Sequence, residues 1–108
     1  MSVDTAYELL KRGESFLRGG NPAQAAIILE RARNQEPERT SIREALGRAY
    51  YNFGRYDRAA EEFRFVVDRY PTNGYAHYCL GRCGDKLGDE LLSRRHFRLA
   101  VAFGYERE

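Results

Sequence analysis

The side chains of this sequence that could do chemistry are few and lie close together. His77 and His96 are its only histidines, and Cys79 and Cys83 its only cysteines. Imidazole and thiolate are common zinc ligands and acid-base or nucleophilic groups, so their spacing decides what they can do. On a helix His77 and Cys79 diverge, because only residues three or four apart share a face. Cys79 and Cys83 do share one, but two thiols on the same rigid turn make a poor disulfide. A metal reading would draw His96 from a paired helix, yet it would still have to gather His77 and Cys79 from diverging sides. The glycines form neither G-x-G-x-x-G nor a Walker pattern. The expectation is a protein that is not an enzyme, with no metal and no cofactor.

The elements that must position these residues are copies of one unit. Gly47 has Gly13 and Gly81 at thirty-four residues on either side, Gly54 lies likewise between Gly20 and Gly88, and Pro71 is matched by Pro37. An internal period outranks local signals, since it means that one supersecondary unit recurs. The units span residues 6–39, 40–73 and 74–107 within a single domain over 1–108.

Each unit reads as two helices. Tyr7, Leu9, Leu10, Gly13, Phe16 and Leu17 recur at three and four, with Ser2 or Asp4 as the cap before them. Gly19-Gly20 ends this helix; Asn21 is expected to accept from free amides, and Pro22 to open a helix bearing Ala25, Ala26, Ile28, Leu29 and Ala32. In the second unit Ser41 is the expected cap, with Ile42, Leu46, Ala49, Tyr50 and Phe53 on the apolar side. Gly13, Gly47 and Gly81 are expected to allow close crossing opposite the small residues Ala25, Ala59 and Ser93, with Leu29, Phe63 and Phe97 filling the space a turn farther on. Cys83 shares its register with Ser15 and Ala49 and reads as a small buried packing residue. Each pair leaves one face uncovered, which predicts stacking of neighbours.

The residues Leu46-Gly47-x-x-Tyr50, Gly54, Tyr56, Ala59-x-x-x-Phe63 and Pro71 give the sequence a resemblance to the tetratricopeptide repeat (TPR) family, running from Ala6 to Arg107 in three tandem repeats. It departs from the family pattern where Trp is favoured, which here is Leu9, Arg43 and His77. Gly84 replaces Tyr50 in the third repeat, and Tyr105 the closing proline. The resemblance implies an all-α fold, a right-handed superhelical stack of three antiparallel helix pairs, whose first helices line a concave groove for a peptide or helix of another protein. By register that groove would carry Tyr7, Leu10, Glu14 and Leu17, then Ser41, Glu44, Arg48, Tyr51 and Asn52, then Tyr75, Tyr78, Arg82, Asp85 and Lys86. The lysine and asparagine clamp of the chaperone-tail binders is absent. Arg48 and Arg82 occupy one place in consecutive repeats, with Asn52 and Lys86 a turn on, and suggest a cationic ladder for a partner's carboxylates.

A second candidate surface is the far end of the last helix pair. Leu87, Phe97, Val101 and Phe103 lack a following helix in this sequence and could support a homodimer or accept a helix from elsewhere. The formal net charge of +2 argues against nucleic acid or an acidic membrane as partner. Arg31, Arg33, Arg64 and Arg69 alternate with Glu30, Glu36, Glu62 and Asp68, which reads as solvated faces rather than a phosphate track. The start Met1-Ser2-Val3-Asp4 has no secretory pattern and no apolar stretch suits a bilayer, so a cytoplasmic setting is expected.

Overall fold

The computed structural model describes residues 4–106, all of whose regular structure is helical. The elements are α1 (Ala6–Arg18), α2 (Pro22–Gln35), α3 (Thr40–Asn52), α4 (Tyr56–Arg69), α5 (Gly74–Leu87) and α6 (Glu90–Ala102). Each packs on the next, and α1 also reaches α3. The result is a rod of 48 × 24 × 23 Å, the shape expected of units that touch only their neighbours. Among the described residues no helix is long and apolar enough to cross a membrane.

The turns repeat as faithfully as the helices. After the first helix of each pair, the backbone N–H groups of Asn21, Arg55 and Asp89 donate to the carbonyls of Phe16, Tyr50 and Gly84 at 2.8, 2.8 and 2.9 Å. These satisfy carbonyls that a helix end leaves free. The preceding Gly20, Gly54 and Gly88 have φ of +77°, +82° and +72°, where a side chain would be strained.

Several caps differ from expectation. α1 is capped by Thr5, whose hydroxyl accepts from Glu8 N–H at 3.1 Å while the Glu8 carboxylate accepts from Thr5 N–H at 2.9 Å. Asp4 instead pairs with Arg12 at 2.7 Å, and Ser2 lies outside the described residues. Asn21 makes no side-chain cap bond, and α3 starts at Thr40, so Ser41 is inside it. The caps that do form in the third repeat are Asn73, accepting from Ala76 N–H, and Asp89, accepting from Leu92 N–H, each at 3.0 Å.

The core is continuous from Ala6 to Cys83, with Leu9, Leu29, Ile42, Leu46, Phe63 and Leu80 almost wholly hidden. Burying a side chain of this size is worth roughly 1.5–3 kcal/mol against exposure. The glycines at the crossings face bulk directly rather than the small residues opposite. A Cβ on Gly13, Gly47 or Gly81 would stand 2.4, 2.8 or 2.7 Å from Leu29, Phe63 or Phe97. Ser93 meets Gly84 instead, where a Cβ would lie 2.6 Å from the Ser93 nitrogen, which is why the place of Tyr50 is emptied in the third repeat. Phe53, expected on the apolar side, follows α3 and is 44% exposed.

One register decides which faces stay wet. Ile42, Leu46 and Ala49 of α3, and Ala76, Leu80 and Cys83 of α5, are buried against the preceding pair. In α1 the same places hold Glu8, Arg12 and Ser15, all exposed. The first pair therefore turns a polar side outward without a change of backbone.

Candidate functional site

A cleft of about 180 Å³ lies between the second and third repeats. α3 contributes Arg48, Tyr51 and Asn52, and α5 contributes Tyr75, Cys79 and Arg82 at the equivalent turns. Phe63, arriving from α4 over Gly47, forms the floor. Of the four residues of the expected ladder, Arg48, Asn52 and Arg82 line this cleft and Lys86 does not. Sequence register missed Phe63 and Cys79 as lining, because their apolar character and spacing marked them only as packing residues.

The two arginines are held differently. The Arg82 guanidinium lies 4.6 Å from the Tyr51 ring centre and 5.9 Å from that of Tyr78, so it is held against two aromatic rings. Tyr51 is itself braced edge-on by Tyr56 at 5.2 Å, and Lys86 Nζ lies 5.9 Å from the Tyr56 ring. Arg48 is half-buried, and among the described residues its Nε is hidden from water without a hydrogen-bond partner. A buried donor left unmade is costly, on the order of 1–3 kcal/mol. Beside it, burial holds the Glu44 carboxyl above its usual range against the pull of Arg48.

The remaining groove residues separate. Tyr7 is 60% exposed, with Lys11 Nζ at 5.8 Å from its ring, while Glu14 and Leu17 are half-buried. Leu10 belongs to the core, where it is buried rather than offered to a partner. Asp85 is committed elsewhere: its carboxylate accepts the Ser93 hydroxyl at 2.5 Å, tying α5 to α6. Tyr75 and Tyr78 are half-buried and pack on Tyr105 at 5.6 and 4.9 Å.

At the far end, Leu87, Val101 and Phe103 are exposed, but Phe97 is not free, because its ring sits on Gly81 and leans on Tyr78 at 5.7 Å. Arg94 stands in the register of buried Ala26 and Ala60 and pairs with Glu90 at 3.1 Å. The end face is thus a mixture of apolar side chains and arginine. The paired charges also correct the picture of uniformly solvated alternation: Glu62 is 4% exposed and accepts from Arg33 at 2.9 Å and Arg43 at 3.1 Å.

Burial pushes the Cys79 thiol up to about 12 and that of Cys83 to about 11. Almost no thiolate exists at neutral pH, and thiolate is the reactive form. A thiol reagent at pH 8 is expected to label both cysteines at the pace of unfolding, and to label them at once in denaturant.

This arrangement, three stacked helix pairs with a basic and aromatic cleft between the second and third, defines a helical-repeat interaction scaffold. The chain belongs to the tetratricopeptide repeat family, whose model matches residues 10–74 and again 44–104. Among solved structures, the fold is similar to YrrB, described as a TPR protein with an unusual peptide-binding site, with a TM-score of 0.92 at 19% identity. That match covers 98% of this chain and 55% of YrrB. It is also similar to a MamA mutant, with a TM-score of 0.87 at 20% identity, covering 99% of this chain and 77% of that one.

Proposed function

We propose that the concave face receives a peptide or helix of another protein, with an acidic side chain of the partner seated between Arg48 and Arg82. The observation that carries this reading is the cleft that Arg48, Asn52 and Arg82 line together with Tyr51 and Tyr75. Arg82, held on Tyr51 and Tyr78, supplies the second cation, and Asn52 an amide for the partner's backbone. Tyr51 and Tyr75 offer rigid aromatic contact of the kind that dominates interface energetics. The fold shared with YrrB, a protein described as binding peptide, is in keeping with this use.

The test starts from a random peptide library selected on the wild-type protein. Enriched peptides are expected to carry Asp or Glu next to an apolar or aromatic residue. The double change Arg48→Ala and Arg82→Ala is expected to weaken a selected peptide about 10- to 100-fold, since charge-assisted hydrogen bonds are worth roughly 1.5–3 kcal/mol. Peptides without acidic residues, or an unchanged affinity, would overturn the cationic seat.

A further inference from the structure

The outer side of α6 departs from what the two earlier second helices present. On α2 and α4, Ala26 and Ala60 are each 5% exposed and Val67 8%, on helices against which α3 and α5 pack. In the same register α6 carries Arg94 and Val101, and Val101 is 66% exposed. Leu91, Arg94, Arg98 and Val101 stand at i, i+3, i+7 and i+10, so they form one stripe along the helix. All four are exposed, with Arg95 beside them. The stripe thus has an apolar residue at each end and guanidinium groups between. Glu90 is the only acidic residue of α6, and it pairs with Arg94 at 3.1 Å.

The junction of the first two pairs shows how an incoming helix meets this side. The hydroxyl of Tyr50 on α3 donates to the Glu30 carboxylate of α2, while Ile42, Leu46 and Ala49 supply the apolar contact. On α6 the place of Glu30 is taken by Arg98. The polar contact is therefore inverted: the cation is already on the stack, and the incoming helix must bring the acceptor. A carboxylate at the place of Tyr50 matches it, being an acceptor of opposite charge.

A second copy of this chain does not offer that chemistry. Its α1 would bring Glu8, Arg12 and Ser15 where α3 has Ile42, Leu46 and Ala49, and Phe16 at the place of Tyr50. Two copies meeting α6 to α6 would set the arginines of one against those of the other, and like charges across an interface repel. We infer that the outer face of α6 docks an acidic amphipathic helix of another protein, laid against it as α3 lies on α2, with a carboxylate on Arg98 and apolar side chains on Val101 and Leu91. Neither Arg98 nor Val101 lines the cleft of the second and third repeats, so this site stands independently of the groove reading.

The test uses a stapled helical peptide of about four turns, long enough to match α3 and stapled because free helices of this length are marginal in water. It carries Ile, Leu and Ala at the spacing of Ile42, Leu46 and Ala49, glutamate at the place of Tyr50, and glutamine elsewhere; a twin carries lysine in place of the glutamate. The glutamate peptide is expected to bind the wild-type protein about 10-fold more tightly than its twin, more weakly as salt is raised, and with amide NMR shifts on α6. Arg98→Glu, a change at an exposed position that leaves the fold intact, is expected to reverse the preference. Binding is expected to persist in the Arg48→Ala, Arg82→Ala protein, which separates this face from the groove. No binding at about 1 mM peptide, equal affinity for the twins, or shifts confined to the cleft would overturn the inference. So would a dimer of the free protein in sedimentation that Val101→Asp disperses, since a second copy would then be the occupant.

Discussion

Phe63→Ala is expected to lower unfolding free energy by about 3–5 kcal/mol, measured by urea denaturation. Phe63 is 1% exposed and its ring covers Gly47, where a Cβ would lie 2.8 Å from the ring edge. The facing residue, Gly47, has no side chain with which to fill the void. A domain of this size has roughly 5–15 kcal/mol to lose, so the variant would be close to unfolding. Phe63→Leu is expected to cost far less, because the first repeat already seats Leu29 on Gly13 in the same register. A cost below 1 kcal/mol for the alanine variant would show that the crossing does not depend on bulk over glycine.

Glu62→Ala is the second large effect, with an expected loss of about 2–3 kcal/mol. Its carboxylate accepts from Arg33 and Arg43, and removing it strands two cations beside the core. A fully buried ion pair broken on one side typically costs 3–5 kcal/mol. The value here is lower because the arginine side chains keep 28% and 19% of their exposure and can still reach water. The pair Arg43→Leu with Glu62→Ile, which copies Leu9 and Ile28, is expected to be milder than Glu62→Ala alone. Non-additivity in this cycle is the diagnostic: if the double variant is the sum of its parts, the ion pair is not coupled.

Most of the fold was legible without coordinates, and the reason is mechanical. A thirty-four-residue period with glycine at fixed places specifies helix, turn and helix three times over, and stacking follows from apolar sides that no single pair can cover. Arg48 and Arg82, which share one place in consecutive repeats, line one cleft. Caps were less legible, because Thr5, Asn21 and Ser41 all have capping chemistry and only the local backbone angle selects among them.

What the sequence by itself determined, then, is the face of each helix on which a residue lies. Only the tertiary structure decided what stands opposite it. Leu9, Arg43 and His77 are equivalent by period, yet each one's role depends on a partner nineteen residues on, as the Arg43–Glu62 and His77–His96 contacts record. The same holds for Asp85, which the pattern sends to the groove and the Ser93 hydroxyl draws toward α6, and for Arg48, whose Nε is buried and, among the described residues, without an acceptor. Period is a property of one chain segment, whereas satisfaction of a polar group is a property of every element around it. For that reason the stack could be read from spacing, while the cleft and the histidine contact could not.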